Sequence, residues 1–265
     1  MIKSRQQIIL GWLERAGAGT YQELATVLRV STMTVRREVD ELNSRGLIIK
    51  TLGGVQRADA PAVLMESAIH GRMSRNRPEK QSIARAALAL LENEQTLFLD
   101  GSTTSLELAK LIARRLRGVT IVTSSSLVAM ELGSNRNNKV IGLGGELDHD
   151  SRCYVGAATE EMADRLYVDM ALISTMGFLP AEGTFESSVA NFRVKQIIAR
   201  HAKTVALLVD HSKFGQRALA KVLDISQIHC VGTDAGAPES DLQELANLQV
   251  RVVREMNSEG NANVA

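Results

Sequence analysis

The feature that most constrains this fold is an alternation of short apolar runs with helical segments, which begins at Glu79. Runs rich in β-branched and aliphatic residues start at residues 96, 119, 139, 168, 204, 227 and 250 (TLFLD, VTIVT, KVIGLGG, VDMALIST, TVALLVD, QIHCVGTD and VRVVRE). Segments with helical periodicity separate most of these runs. Because short buried strands that alternate with helices form a parallel sheet covered on both faces, the pattern predicts an open α/β domain.

The first 58 residues have a different pattern, which predicts three short helices and two short strands. Thr20 and Glu23 form a capping box at the start of the second helix. Ser31 is placed to cap the third helix, and Gly46 suits its C-terminal end. The segment LIIKTLGGVQRA then alternates around Gly53–Gly54, as two strands and a tight turn do. Together these elements predict a winged helix-turn-helix.

Charge separates this segment from the rest of the chain. Residues 1–58 carry nine basic and five acidic side chains, a net charge of +4, whereas the remainder carries −3. In helix-turn-helix modules the second helix of the motif enters the major groove, and its N-terminal residues reach base edges. The third helix here begins with small hydroxyl side chains and an arginine pair, and its first acid is Glu38. The alternative is a plain three-helix packing unit with a solvated basic face.

We therefore predict a set of DNA-facing residues around the start of the third helix. The set is Thr20, Ser31, Thr32, Thr34, Val35, Arg36 and Arg37. The hydroxyl groups can hydrogen-bond to bases or phosphate oxygens, and the arginines supply charge or a fork for guanine. The predicted partner is double-stranded operator DNA.

The domain boundaries follow from these changes of pattern. We predict a winged helix-turn-helix domain over residues 1–58 and a sensor domain over residues 79–255. Residues 59–78, which contain Pro61 and end at Pro78, form the predicted linker, with one helix at Val63–His70. Residues 256–265 are small and polar, and we expect them to be disordered.

Small polar residues follow several of the predicted strands. In open parallel sheets, ligands bind at the carboxyl ends of the strands, and a helix N-terminus there favours an anion. The candidate ligand-binding residues in these loops are Asp100, Gly101, Ser102, Thr103, Thr104, Thr123, Ser124, Ser125, Gly144, Gly145 and Lys213. Any one of the hydroxyl groups can be simply a helix cap. Three such loops and a lysine in one sheet favour a site for a small anionic ligand.

Other chemistry is less well supported by the sequence. Asp148, His149 and Asp150 are adjacent, but neighbouring side chains in one loop rarely converge on one metal ion. Asp210, His211 and Ser212 are likewise adjacent, which is not the geometry of a catalytic triad. Asp100 suits either a general base or a group that binds a sugar hydroxyl, and we favour the second role. We expect no metal, no cofactor and no enzymatic activity.

Cysteine usage and hydropathy bear on the cellular compartment. The chain has only two cysteines, Cys153 and Cys230, and they are far apart in the sequence. We therefore expect two buried thiols rather than a disulfide framework. The apolar run near the N-terminus is short and interrupted by charge, unlike a signal peptide. No apolar stretch approaches the roughly 18 residues of a membrane span. We therefore expect a soluble, cytoplasmic protein with no membrane partner.

With both groups of motifs in view, residues 3–254 resemble the DeoR family of bacterial transcriptional regulators. The N-terminal match is TYQELATVLRVSTMTVRREVDELNSRGLIIKTLGGV. The C-terminal matches, in the expected order, are RPEKQSIARAA, FLDGSTT, GLGGEL, STMGF and LVDHSKFG. The resemblance implies a sensor fold similar to ribose-5-phosphate isomerase and glucosamine-6-phosphate deaminase, without retained catalysis.

The resemblance also implies a ligand and an assembly. It implies a phosphorylated sugar as effector and a homodimer or homotetramer. The phosphate is expected on residues 102–104 and 123–125 near Lys213. Lys195 matches a lysine common to the family, and on this resemblance we include it among the candidate ligand-binding residues. Two positions depart from the family pattern: Ser124 stands where relatives often have Asn, and Asn191 stands where they often have an acid.

The sequence thus predicts a DNA-binding transcription factor. The leading hypothesis is a repressor of a carbohydrate catabolic operon that is released by a phosphorylated sugar. One alternative is a sugar-phosphate isomerase or deaminase with a DNA-binding appendage. Another is a constitutive DNA-binding protein whose C-terminal domain only holds an oligomer together.

Overall fold

The computed structural model describes residues 4–16, 18–51, 54–57 and 69–255, and the chain divides into two compact units, Met1–Arg75 and Asn76–Ala265. Most of the helix expected at Val63–His70 and the whole tail expected to be disordered lie outside the described residues. Within the described residues, no helix is long and apolar enough to cross a membrane.

The first unit is a winged helix-turn-helix. Its elements are α1 (Ser4–Ala16), β1 (Ala18–Thr20), α2 (Tyr21–Leu28), α3 (Thr32–Ser44), β2 (Ile48–Thr51), β3 (Gly54–Arg57) and α4 (Ile69–Ser74). Strand β3 lies between β1 and β2 and pairs antiparallel with both. The three helices and the two-stranded wing confirm the sequence prediction. Strand β1 was not expected, because a run of three residues that includes glycine shows no alternation.

Caps and apolar packing hold this unit in place. Thr20 and Glu23 form the expected capping box, with Thr20 N–H donating to Glu23 Oε2 at 2.7 Å. Arg29 adopts a left-handed conformation (φ 52°), which makes the tight turn between α2 and α3. The helices and the wing bury a common core of Ile9, Leu13, Tyr21, Leu24, Val35, Val39, Leu42, Ile48 and Val55. The fold of the unit therefore follows from the apolar stripe of each helix.

The second unit is built on a parallel sheet. Its helices are α5 (Arg77–Leu88), α6 (Thr103–Arg115), α7 (Ser126–Gly133), α8 (Ala157–Asp164), α9 (Val189–His201) and α10 (Glu239–Asn247). Its strands are β4 (Thr96–Leu99), β5 (Thr120–Thr123), β6 (Lys139–Gly142), β7 (Glu146–Asp148), β8 (Cys153–Val155), β9 (Val168–Ile173), β10 (Gly177–Leu179), β11 (Gly183–Glu186), β12 (Ala202–Leu208), β13 (Ala220–Asp224), β14 (Cys230–Gly232) and β15 (Arg251–Val253).

Seven of these strands form one sheet in the order β15-β14-β12-β9-β4-β5-β6, and every neighbouring pair is parallel. The central strands are buried on both faces, as the continuous apolar runs indicated. Phe98 on β4 pairs in register with Ala171 on β9, which in turn pairs with Val205 on β12. This arrangement confirms the predicted open α/β architecture.

Two small antiparallel sheets were not expected from the sequence. Strands β7 and β8 form a hairpin, and β11 pairs with both β10 and β13. Each strand in these sheets has three to five residues, which is too short for periodicity to distinguish it from a loop. Both sheets come from segments that follow strands of the large sheet, next to the edge where the candidate ligand residues lie.

The Phe98→Ala substitution tests this core. Phe98 is fully buried on β4, an interior strand of the large sheet. We expect the change to lower the free energy of unfolding by about 3–5 kcal/mol, because it removes a large apolar group and leaves a cavity. Urea unfolding measures the effect. Met130→Ala is the control: its side chain is 76% exposed, so the change should cost less than about 0.5 kcal/mol. A loss of similar size in both variants would contradict the assigned core.

Candidate functional site

The predicted ligand loops meet at one edge of the large sheet. Because its strands are all parallel, the loops that follow β12, β9, β4, β5 and β6 leave from the same edge, in that spatial order. These loops begin with Val209, Ser174, Asp100, Ser124 and Leu143, respectively, and Asp210 is the second residue of the first loop. Neighbouring strands in a sheet are about 4.8 Å apart, so the loop that carries Lys213 lies two strands from the loop that carries Asp100.

Asp100 is the organising group of the loop after β4. It is 1% exposed, and each of its carboxylate oxygens accepts two bonds. Oδ1 accepts from the Ser102 N–H at 3.1 Å and from the Ser105 hydroxyl at 2.6 Å. Oδ2 accepts from the Ser174 N–H at 2.9 Å and lies 3.1 Å from Lys195 Nζ. This corrects the expectation that Asp100 binds a sugar hydroxyl or acts as a base, because its acceptor capacity is already used.

Lys195, on α9, joins three elements through one buried ammonium group. Its Nζ donates to Glu186 on β11, to the Ser174 carbonyl oxygen at 2.7 Å and to Asp100. An ammonium group has three N–H donors, so none is left for a ligand. The resemblance implied a direct contact between Lys195 and the ligand, and these contacts correct it to a supporting role.

The charges in this cluster stabilise one another. Burial alone would lower the pKa of Lys195, but the neighbouring carboxylates of Glu186 and Asp100 outweigh it and raise that pKa. Burial alone would raise the pKa of Asp100, but the charge of Lys195 and hydrogen bonds from Ser102, Ser105 and Ser174 lower it. Asp100 and Lys195 are therefore both ionised at neutral pH.

The loop after β4 leads into the N-terminus of α6. Ser102 caps this helix: its hydroxyl accepts from the Ser105 N–H at 3.0 Å. Thr103 and Thr104 are 6% and 3% exposed and form the first turn. Gly101 packs against Cys153, and a Cβ placed on Gly101 would lie 2.0 Å from the Cys153 sulfur. Only glycine therefore allows the loop this close to strand β8.

The loop after β5 repeats the arrangement one strand away. Ser125 caps α7 by accepting from the Val128 N–H at 3.3 Å. The Ser125 N–H donates to the Thr123 hydroxyl at 3.0 Å, and the Tyr154 N–H donates to the Ser124 carbonyl oxygen at 2.8 Å. These contacts fix the loop between β5 and the hairpin strand β8. The structure thus brings residues 102–104 and 123–125 to adjacent positions, each at the start of a helix.

The Gly144–Gly145 segment follows β6, at the end of this row of loops. The Thr159 hydroxyl donates to the Gly144 carbonyl oxygen at 2.6 Å. Gly145 has φ +144°, and a Cβ there would lie 2.0 Å from the Thr159 hydroxyl oxygen. The glycine is therefore needed for close packing of the segment on α8.

Lys213 belongs to a 3₁₀ turn, His211–Lys213, that begins after β12. The Ser212 hydroxyl donates to Asp210, whereas His211 Nδ1 lies 2.9 Å from Asp234 Oδ2. Adjacent Asp210, His211 and Ser212 thus do not form a triad. The hydrogen bond to Asp234 raises the pKa of His211. The charge of Lys213 is the strongest of the influences that lower the pKa of Asp210, which burial alone would raise.

The predicted DNA-facing residues divide into exposed groups, groups that cap helices, and one core residue. Arg36 is exposed and its guanidinium lies 5.2 Å from the centre of the Tyr21 ring. The Ser31 and Thr34 hydroxyl oxygens are 3.0 Å apart, and Ser31 caps α3. Val35 is fully buried in the core of the unit. Because its side chain cannot reach DNA, the prediction for Val35 is corrected.

The other members of this set lie where the helix-turn-helix pattern placed them. Arg37 is exposed, and Thr32 is half-buried in the first turn of α3. The Thr20 hydroxyl already donates to Glu23 at 2.9 Å, so it serves the cap of α2 first. The role of each of these groups toward DNA stays a prediction.

Sequence reasoning missed several groups that build the site. Ser105, Ser174, Glu186 and Thr159 all contribute hydrogen bonds or charge to the loops described above. Ser174 is the first polar residue after the apolar stretch MALI in the predicted run VDMALIST, and that position was a usable signal. Glu186 lies on β11, a strand that periodicity did not indicate, so no comparable signal pointed to it.

Comparison with known proteins gives the family. A family model described as "DeoR C terminal sensor domain" matches residues 75–235, and one described as "DeoR-like helix-turn-helix domain" matches residues 5–60. The chain belongs to the DeoR family of transcriptional regulators. Its two units thus correspond to a DNA-binding domain and a sensor domain of DeoR type.

Curated relatives of this DeoR-family protein are regulators too. The HTH-type transcriptional regulator GolR of Listeria innocua is 32% identical over 87% of this chain and 89% of its own length. The regulator IolR of Bacillus subtilis is 30% identical over 82% of this chain and 85% of its own length. The glycerol-3-phosphate regulon repressor of Escherichia coli is 29% identical over 94% and 97%. The chain is accordingly a regulator and not a member of an enzyme family.

Among solved structures, ribose 5-phosphate isomerase A from Methanocaldococcus jannaschii aligns with a TM-score of 0.40 at 16% identity, over 52% of this chain and 55% of that chain. The eIF2B beta subunit from Chaetomium thermophilum aligns with a TM-score of 0.47 at 13% identity, over 71% and 56%, respectively.

The Lys195→Met substitution tests the buried ion cluster. At pH 7 we expect it to cost roughly 3–5 kcal/mol of unfolding free energy, because Asp100 and Glu186 are left buried without their cation. Without the lysine, the positive charge that offsets the burial of Asp100 is lost, so the folded-state pKa of Asp100 should rise above its unfolded value. The deficit should therefore shrink as the pH falls from 7 to 5 and this group protonates. Urea unfolding at both pH values measures it.

The wild-type protein should behave differently over this range. The pKa of Asp100 is held below its ordinary value of 3.8, so its stabilising contribution is complete above that value. It is lost only as the pH falls through the folded-state pKa. Lys221→Met, which removes an exposed partner of Asp224, is the control and should show no such pH dependence. Equal deficits for Lys195→Met at pH 7 and pH 5 would argue against the buried cluster.

Proposed function

We propose that this DeoR-family regulator represses a carbohydrate catabolic operon and is released from its operator by a phosphorylated sugar. The sugar phosphate binds at the carboxyl edge of the large sheet. Its phosphate group lies over the loops at residues 102–104 and 123–125, with Lys213 as the nearby cation. The protein acts in the cytoplasm as a homodimer or homotetramer that pairs its DNA-binding units.

One observation carries the ligand class: two helix N-termini, each capped by a serine and rich in hydroxyl groups, lie side by side at this edge. Free N–H groups and the helix dipole favour an anion at such a position. Lys195 cannot supply the counter-charge, since Asp100 and Glu186 already neutralise it. The ligand's negative charge is instead met by N–H groups, hydroxyl groups and Lys213.

One curated relative supports the same class of effector and the repressive sign of regulation. The name of the glycerol-3-phosphate regulon repressor contains both a phosphorylated three-carbon compound and a repressive role. The enzyme alternative has no comparable support. A general base needs a carboxylate oxygen that can reach a substrate proton, whereas both oxygens of Asp100 are occupied and the residue is 1% exposed.

A thermal-shift screen tests the effector class. The panel contains glucose 6-phosphate, fructose 6-phosphate, ribose 5-phosphate, glycerol 3-phosphate, the corresponding unphosphorylated compounds and inorganic phosphate. A ligand that binds only the folded state raises Tm with its concentration. We expect at least one phosphorylated compound to raise Tm and its unphosphorylated counterpart to have no effect. No shift with any phosphorylated compound would favour a constitutive DNA-binding protein with a scaffold domain.

The Arg36→Ala substitution tests the DNA-binding surface. A duplex recovered by in vitro selection from a random library serves as operator. We expect the change to weaken binding by about 1–3 kcal/mol and to lower the slope of log affinity against log salt by about 1, because a guanidinium contact is lost. The Tm shift with sugar phosphate should be unchanged. Arg45→Ala, at the C-terminal end of α3, is the control and should bind DNA nearly as the wild type does.

The Lys213→Ala substitution should have the opposite effects. It removes the cation at the effector edge, so the sugar-phosphate Tm shift should shrink while DNA affinity without the ligand is kept within about threefold. Lys221→Ala, at an exposed position of β13, is the matched control. If Arg36→Ala and Lys213→Ala each damaged both activities equally, the assignment of two separate sites would be contradicted.

A further inference from the structure

Asn76, at the start of α5, does not use its side chain in the usual way for its position. Asparagine at a helix N-cap ordinarily has an extended backbone and accepts a hydrogen bond from the first turn. Here the backbone of Asn76 is left-handed (φ 51°, ψ 40°), and its side chain makes no cap hydrogen bond. Helix α5 therefore has no side-chain hydrogen bond at its N-cap, and Asn76 occupies a region of φ/ψ space that residues other than glycine adopt less often.

The amide of Asn76 reaches the loop after β12 instead. Its Nδ2 donates to Asp210 Oδ1 at 3.0 Å and to the Ser212 hydroxyl oxygen at 3.1 Å. Ser212 in turn donates to the same Asp210 oxygen from both its N–H and its hydroxyl group. Asp210 is 2% exposed, so the loss of one of these donors is not readily made good by water. We refer to Asn76, Asp210 and Ser212 as the latch.

The latch holds the turn that carries the effector lysine. Asp210 caps the 3₁₀ turn, and the Lys213 N–H donates to the Asp210 carbonyl oxygen at 3.0 Å. The charge of Lys213 is in turn a main support of the Asp210 carboxylate. On its other side, the turn is held by Asp234, which accepts from the His211 N–H at 2.7 Å. A displacement of this turn therefore changes the position of Asp210 relative to Asn76.

The position of Asn76 in the chain gives this contact its importance. The two compact units divide between Arg75 and Asn76, so Asn76 is the first residue of the sensor unit. The preceding helix, α4, ends at Ser74. The side chain of Asn76 thus connects the first residue of the sensor unit to the turn His211–Lys213, which carries the proposed effector-binding lysine.

We propose that Asn76 is a positioning residue that couples effector binding to DNA binding, with the latch closed in the DNA-binding state and opened by the effector. The proposal rests on the function proposed above. A phosphate that engages Lys213 pulls on the turn that carries this lysine, so that Asp210, which caps the turn, is drawn away from Asn76. Because a ligand shifts an equilibrium only through its different affinities for two states, a latch closed in one state alone provides the required difference.

The Asn76→Gly substitution separates the side chain from the backbone. Glycine adopts the left-handed conformation without strain, so the variant loses only the amide contacts. With no sugar phosphate present, we expect its affinity for the selected duplex to fall at least about fivefold, toward the value that the wild type shows with the effector. Addition of the panel compound with the largest Tm shift should then weaken DNA binding less than in the wild type. The Tm shift itself should be kept or increased.

Two further variants serve as a control and as an independent test of the latch. Asn93→Gly removes a different side-chain hydrogen bond of the same unit, from the Arg117 N–H, and should leave DNA affinity unchanged. Ser212→Ala removes one acceptor of the Asn76 amide and should change DNA affinity in the same direction as Asn76→Gly, by a smaller factor. This second variant carries the test if Asn76→Gly fails to fold.

Each outcome decides the proposal. Wild-type DNA affinity in folded Asn76→Gly without sugar phosphate would overturn it, and so would loss of the Tm shift, since the residue would then only build the effector site. A fall in DNA affinity with a retained Tm shift supports it. If no panel compound shifts the Tm of the wild type, the proposed effector is wrong, and the latch is still judged by DNA affinity without ligand.

Discussion

The structure of the sensor unit depends on one lysine buried between two carboxylates. Lys195 links α9 to β11 through Glu186, to the loop after β4 through Asp100 and to the loop after β9 through the Ser174 carbonyl oxygen. Removing such charges from water is costly, and their attraction offsets the cost only when the geometry is good and every donor is used. Here every ammonium donor has a partner. The cluster therefore fixes the relative positions of three elements at the edge of the sheet, beside the N-termini of α6 and α7.

In both units, buried contacts hold the backbone that presents the proposed binding groups. In the sensor unit, buried groups hold the loops at residues 102–104 and 123–125, where we propose that a phosphate binds. In the DNA-binding unit, Val35 and the rest of the core hold α3, while Ser31 and Thr34 order its N-terminus and Tyr21 lies beneath the Arg36 guanidinium. In each case buried contacts fix the shape of the surface that we propose to contact phosphate. What distinguishes a regulator from two independent binding proteins is a contact that senses one site and affects the other.

The main architecture could be predicted from the sequence because patterns that extend over many residues are easy to recognise. These patterns are the seven apolar runs separated by helices and the three helices that precede the wing. The small sheets escaped because strands of three to five residues carry no usable period. The roles of Asp100 and Lys195 were misjudged for a different reason. A carboxylate after a strand is equally consistent with a base, a ligand group or a structural anchor, and the choice depends on partners such as Ser174, 74 residues away. Asn76 was not noticed, since its importance lies in a contact with Asp210 that only the folded chain brings together.

The central claim is that effector binding and operator binding are linked through one protein. Linkage is reciprocal, so the factor by which the sugar phosphate weakens DNA affinity must equal the factor by which the operator weakens sugar-phosphate affinity. Isothermal titration of the sugar phosphate into the free protein and into the protein–operator complex, set beside DNA titrations with and without the sugar phosphate, measures both factors. The account predicts two equal factors well above one. Identical sugar-phosphate affinity for the free and the DNA-bound protein would contradict it.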